Sequence, residues 1–395
     1  MVFRKNISNI HKIFFYLLLV LLPTQLGLHF WPDWALVLGR RIDYLSPTAY
    51  FTDIIIFFLL VSWLFEKHQK IRFFLFKIIF VAGFICANIY FATNKMVALF
   101  AWIKILEMIA LGFYIVKEKP KLPEIIFPLS VGVLYSSVIA ITQFLLQHSI
   151  GGLFWFLGER TFSASTPGIA RVDFPSFFKL RAYATFPHPN VLGGFLAITL
   201  PLLVIQLIDK KKIFYFITII LGIIALILTF SRSAWIVFVL GISYIVYRKK
   251  KKLFIPVFLS VLLIALVIGK TFGFQDESVV VREQLSVAAL SMARASPVLG
   301  TGLGNFLVRL PDYLVSRQIY FLQPVHNIYL LLLSEVGIVG FGFFVLLLKK
   351  ILSYRVYRIS YVYAILLLGL VDHYFLTLQQ GQLLLTIFLS LSLIQ

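Results

Sequence analysis

Stretches of roughly 15 to 20 residues pass again and again along this chain without a Lys, Arg, Asp or Glu. An apolar segment of that length has one natural setting. About 20 residues of helix cross the roughly 30 Å hydrocarbon core of a bilayer while satisfying every backbone polar group internally. Composition agrees, since 61% of the 395 residues are hydrophobic and 13% charged, where a soluble domain carries roughly a quarter charged. A water-soluble globular protein is excluded. So is a nucleic-acid footprint read from the net charge of +20, because a membrane protein needs basic residues to fix its orientation. The single Cys86 lies inside an apolar run, leaving neither an intramolecular disulfide nor a thiolate metal cage.

Twelve runs are long enough to span: 13–28, 48–65, 73–91, 96–116, 125–147, 189–208, 213–230, 234–247, 253–269, 326–348, 360–375 and 380–394. The first follows Arg4, Lys5 and Lys12 like a secretory signal, but no small-x-small cleavage pattern follows it, so it reads as a retained helix. Threading the chain with its N-terminus inside places Lys and Arg at roughly fourfold higher density in the inner connections than in the outer ones. The expected fold is therefore an all-α integral membrane protein, residues 1–395 forming one polytopic domain of about twelve transmembrane helices. Both termini face the cytoplasm. Two long loops, 148–188 and 270–325, face outward, and the second contains an amphipathic helix with apolar residues at 281, 285, 288, 289 and 292. That helix leads into Gly300-Thr301-Gly302-Leu303-Gly304-Asn305-Phe306, whose glycines permit positive φ and a close backbone approach.

The polar residues expected on the outer side form a small set. Arg232 occupies the short turn Ser231-Arg232-Ser233, either snorkelling to headgroups or facing an anion. Arg181 precedes His188-Pro189-Asn190, and Arg282 stands near the start of the amphipathic helix. Three arginines on one side suit phosphate, because the planar guanidinium gives bidentate, charge-assisted hydrogen bonds. His326 and Asn327 mark the re-entry of the second loop into the membrane, and imidazole accepts a proton near neutral pH. Glu335 follows nine residues later, about 13 Å deeper along a helix. An intramembrane carboxylate is either functional or a packing group beside Gly337 and Gly340.

Taken in order, His188-Pro189-Asn190-Val191-Leu192-Gly193-Gly194, Ser231-Arg232-Ser233-Ala234-Trp235, Arg282, the Gly300–Phe306 string and His326-Asn327-Ile328-Tyr329 through Glu335 and Gly340 resemble the O-antigen ligase and polymerase superfamily of bacterial envelope glycosyltransferases. The resemblance covers about residues 125–395, the expected catalytic region. It implies an inverting transferase that needs no metal or other cofactor. The donor would be an undecaprenyl-pyrophosphate-linked glycan and the acceptor a hydroxyl on a lipid, glycan or protein. Transfer would take place at the outer face of the bacterial cytoplasmic membrane. By motif, Arg232 and Arg282 would bind the pyrophosphate and His326 would act as base, with Arg181, His188, Asn190, Asn327 and Glu335 as further substrate-binding residues. The N-terminal third shows no motif that matches.

Two readings from other classes compete. A lipid-linked oligosaccharide flippase or ion-coupled transporter would use Glu107, Glu335 and Asp372 as midmembrane sites, but no internal repeat is visible and the polar candidates gather on one side. A structural scaffold would explain the apolar outer helix and leave its arginines unexplained. The topology is open to direct test. Cysteines introduced at Ser165 and Ser316 are expected to react with an impermeant thiol reagent in intact cells and one at Lys250 is not; the opposite pattern would overturn the orientation.

Overall fold

The computed structural model describes residues 9–67, 75–174, 177–249, 276–314, 322–353 and 360–394. The expected span 253–269 and the labelling positions Lys250 and Ser316 lie outside them. The chain is mostly helical. It begins with α1 (Ile10–Val20), followed by β1 (Gly27–His29), β2 (Leu36–Val37), β3 (Arg40–Arg41) and β4 (Thr48–Tyr50). β1 pairs antiparallel with β4, and β2 with β3. Next come α2 (Phe51–Lys67), α3 (Leu75–Tyr90), α4 (Lys95–Glu118) and α5 (Leu122–Leu146), the hairpin of β5 (Arg171–Phe174) and β6 (Phe177–Leu180), then α6 (Pro189–Lys210), α7 (Ile213–Leu228) and α8 (Arg232–Lys249). The last third holds α9 (Asp276–Ala295), α10 (Phe306–Arg309), α11 (Ile328–Leu352), α12 (Ser360–Gly369), α13 (Tyr374–Thr377) and α14 (Gln379–Ser392).

Among the described residues, four helices are long and apolar enough to cross a membrane: α4, α5, α6 and α11. Other expected spans are shorter helices, and two have different ends. The run 13–28 is helical only to Val20, since Pro23 has no N–H to continue the ladder and disfavours helix in the residue before it. Its remainder pairs with residues 48–50 as a strand, which satisfies the backbone another way. The run 360–375 stops at Gly369, ahead of the polar pair Asp372-His373.

Burial identifies the centre. The apolar window of α6 is 78% buried, against 28% in both α4 and α11. So α6 is the axis about which α5, α7, α8 and α12 pack, while Ile103, Leu106 and Ile109 on α4 and Ile338 and Leu346 on α11 are left exposed, as lipid-facing residues would be. The amphipathic α9 buries Leu285, Ala288, Ala289 and Met292 with Val37, Ile42 and Leu45 of the N-terminal hairpins and with Phe306, Leu307 and Leu331.

The close approach permitted by the glycine string is made to α11. Gly300, Gly302 and Gly304 have φ of 72°, 101° and 75°, and Gly337 interrupts α11 with φ 61°. The two irregular backbones satisfy each other. Thr301 N donates to Ser334 O (2.9 Å), Gly302 N to Glu335 O (3.0 Å), and Ile338 N to Pro297 O (2.8 Å). Irregular backbone is tolerated at membrane depth only with such partners. A Cβ on Gly337 would stand 2.3 Å from Val298 O, on a residue whose φ already excludes most side chains, whereas a Cβ on Gly342 meets nothing within 4 Å. Gly337→Ala is therefore expected to cost at least about 1–3 kcal/mol, and Gly342→Ala to be neutral or slightly stabilising. Thermal unfolding of the two purified variants checks this; equal midpoints would show that the interlock contributes nothing.

Candidate active site

A hydrogen-bonded chain runs from the first long loop to the C-terminal helices. Arg181, placed just after β6, donates from Nε to Thr229 O (2.7 Å) and from a terminal nitrogen to Asn190 Oδ1 (2.7 Å). Thr229 closes α7, so this bond steadies the turn that carries Arg232 into the first residue of α8. Asn190 lies in the first turn of α6, where His188 Nδ1 caps the helix by accepting from Asn190 N (3.1 Å). Asn190 Nδ2 then donates to Asp372 Oδ2 (3.0 Å), and Asp372 Oδ1 accepts from the His373 backbone N–H (2.9 Å). Gly194 lets the Tyr374 side chain of α13 lie against α6: a Cβ there would fall 2.0 Å from the Tyr374 hydroxyl.

His326 meets this chain from the other side. Its ring stands 5.1 Å from that of His373, nearly perpendicular to it at 77°. Asn327 holds it there. The amide oxygen accepts from Tyr329 N (2.9 Å) and Leu330 N (3.0 Å), capping α11, and the amide nitrogen donates to Leu370 O (3.1 Å). His373 Nδ1 shares a hydrogen bond with Thr377 Oγ1 (2.7 Å), while His326 Nδ1 is buried without a partner.

The charges explain how these groups titrate. Burial pulls Arg181 down to about 10, and the nearby Arg282 and Arg232 add to the effect. It remains a cation at neutral pH whose charge is disfavoured by its surroundings, which an anion would relieve. Burial and Arg181 lower His188 to about 3, and burial, His326 and Arg282 lower His373 to about 3, Asp372 opposing in both cases. His326 is lowered by burial and by Arg282, again against Asp372. Burial alone would raise Asp372, but the three imidazoles and the Asn190 amide outweigh it and hold its carboxyl below the usual range.

Of the residues singled out in the sequence, the structure thus gathers Arg181, Arg232, Arg282, His188, Asn190, His326 and Asn327 around one locus. Glu335 does not join them: its carboxylate accepts from Phe306 N (3.1 Å) in the loop docked on α11. Asp372, otherwise assigned only to a transporter, and His373, not singled out at all, stand at the centre. Their signal was an adjacent Asp-His pair breaking an apolar run just after Gly369. His326, Asp372 and His373 bring one donor atom each within 4.8 Å of one another, an arrangement able to hold a divalent cation. Arg282, whose charge acts on both His326 and His373, weakens that use and favours proton handling.

Residues 217–345 match the O-antigen ligase family model, which supports membership of the O-antigen ligase superfamily and bears out the resemblance. The matched segment contains Arg232, Arg282, His326 and Glu335. Arg181, Asn190, Asp372 and His373 lie outside it. No curated protein and no solved structure matches the chain.

The lowered imidazoles carry a consequence for stability. Between pH 6.5 and about 3 the unfolded chain binds protons at His188 and His373 that the folded chain does not. Stability present above pH 6.5 is therefore lost as pH falls, by up to about 1.4 kcal/mol per pH unit for each imidazole. The thermal midpoint in lipid nanodiscs is expected to drop from pH 7.5 to pH 5, and to drop less in His373→Gln; a pH-independent midpoint would contradict the neutral, buried imidazoles.

Proposed function

From its place in the O-antigen ligase superfamily, we propose that this membrane glycosyltransferase moves a glycan from an undecaprenyl-pyrophosphate-linked donor to a hydroxyl acceptor at the outer face of the cytoplasmic membrane. The observation that carries the proposal is that Arg181 is joined to Asp372 through Asn190 while Arg282 acts on both His326 and His373, with Arg232 close to Arg181. The arginines bind the donor pyrophosphate. His326 takes the acceptor's proton as its hydroxyl oxygen forms a bond to the anomeric carbon. The anomeric C–O bond to phosphate breaks at the same time, and undecaprenyl pyrophosphate leaves with the bonding electrons and inverted stereochemistry at carbon. The arginines neutralise the growing negative charge. Asp372 orients the imidazole pair, and the depressed basicity of His326 keeps it neutral and ready near pH 7.

A second observation supports the donor assignment. An apolar cavity of about 140 Å³ lies between α6, α8 and α12, lined by Ala197, Pro201, Val237 and Leu240. Its lining begins about two helical turns into α6, whose first turn bonds Arg181 through Asn190, and about one turn into α8, which opens on Arg232, where a polyprenyl chain would continue from a pyrophosphate held above.

The test supplies lipid-linked glycan and candidate acceptors to the purified protein and identifies the product by mass. His326→Ala is expected to lower transfer by about 10²- to 10⁴-fold while undecaprenyl pyrophosphate still binds. Arg232→Lys, which keeps a charge but loses the planar fork, and Arg282→Ala are expected to weaken donor binding and transfer together. Wild-type transfer by His326→Ala would refute the base, and normal donor turnover by both arginine variants would refute the pyrophosphate clamp.

A further inference from the structure

Beside His373 lies a second cavity of about 130 Å³, with no arginine in its lining. It adjoins the candidate active site directly. Tyr44, in its wall, presents its ring to His373 at 5.3 Å and 81°, and Thr377, also in the wall, holds His373 Nδ1. Much of the rest comes from the N-terminal third: the segment 43–50 between the small hairpins and α2, and Phe100, Ala101, Lys104 and Ile105 of α4.

The chemistry of this cavity is opposite to that of the arginine side. Its lysine, Lys104, is already held 2.7 Å from both Asp53 and Glu107. Asp43 and Glu335 contribute carboxylates, and Gln379 and Gln382 amides. No cation other than Lys104 lines it among the described residues, so a pyrophosphate would find no partner there. Acceptor atoms are in surplus. Gln379 is 2% exposed, and its Nε2 is committed to Thr52 Oγ1 (3.0 Å) and Asp53 Oδ1 (2.5 Å). Its Oε1 is buried with no partner, an omission that costs free energy unless a donor arrives. Tyr44, Tyr50 and Phe100 add apolar ring surface. A ligand rich in O–H donors along its edge, with C–H faces that pack on aromatic rings, satisfies all of these features. A sugar ring has that chemistry.

We propose that this cavity is a saccharide subsite: it binds a sugar of the acceptor and presents one of its hydroxyls to His326, opposite the pyrophosphate. The proposal rests on the glycosyl-transfer reading and narrows the acceptor to a carbohydrate. It also gives a role to the part of the chain that lies outside the family match. Residues 43–50 and α4 become the elements that select which sugar is accepted.

The experiment uses the full-length protein in lipid nanodiscs, which avoids glycoside detergents. Saturation-transfer NMR with a panel of methyl glycosides probes the cavity, and titration with undecaprenyl pyrophosphate probes the arginine side. At least one glycoside is expected to bind, and Tyr44→Leu and Gln382→Leu to weaken it by about tenfold or more without changing undecaprenyl pyrophosphate affinity. Tyr44→Phe, which keeps the ring, should retain most of the binding, and Arg282→Ala should show the reverse pattern. The subsite is overturned if no glycoside binds, if the cavity variants bind it like wild type, or if they lose undecaprenyl pyrophosphate as well, since the two sites would then not be separate. If glycoside binding behaves as expected while Arg282→Ala leaves undecaprenyl pyrophosphate binding intact, the saccharide site stands and the donor reading falls.

Discussion

The docking of residues 297–302 into the break of α11 is the constraint on which the rest of the site depends. Three backbone hydrogen bonds join the loop to Ser334, Glu335 and Ile338, and each end of the joint carries a functional element. Upstream, the loop continues from α9, which bears Arg282. Downstream, the first half of α11 begins at Ile328, two residues after His326. The Glu335 carboxylate then reaches Phe306 N at the start of α10, whose Phe306 and Leu307 help wall the second cavity. One main-chain joint therefore helps to set the spacing between Arg282, His326 and the cavity, and does so without a flexible side chain.

The locus divides into two electrical halves. On one side, Arg181 loses basicity through burial, and Arg282 and Arg232 lie close enough to add to the effect. On the other, Asp43, Glu335 and the Lys104–Asp53–Glu107 cluster leave carboxylate and amide oxygens in excess. His326 and His373 lie at the boundary, kept neutral by burial and by the arginine field. An anion and a hydroxyl-bearing molecule would thus be sorted to opposite sides of the same imidazole pair. Such sorting would suit an inverting displacement at carbon, in which the nucleophile approaches the face opposite to the one from which the leaving group departs.

Much of this was legible in the sequence, for reasons that differ by element. Apolar runs reveal helices, and the period of residues 281–292 revealed which face of α9 would be buried. The Gly300–Gly304 string announced a close approach but not its partner, since a break at Gly337 cannot be told from a packing glycine without seeing the backbone. Arg232, Arg282 and His326 stood out because charge is costly near lipid. Asp372 stood out only as a transporter site and His373 not at all, because their place in the cluster comes from the contact of Asp372 with Asn190, 182 residues away. The N-terminal cavity wall escaped for a similar reason: Tyr44 is an ordinary residue between two short strands until the fold brings its ring against His373.

The interlock also bears on how the chain is made. Synthesis runs from N- to C-terminus, so residues 297–302 emerge before Ser334, Glu335 and Ile338 exist. Until then the amides of Thr301 and Gly302 have only water to bond, and hydrocarbon would be a prohibitive place for them. The loop must wait in the aqueous phase while α11 is delivered into the bilayer, and it can sink to its final depth only as that helix arrives. Asp372 and His373 emerge later still, so the candidate site is among the last parts of the molecule to assemble.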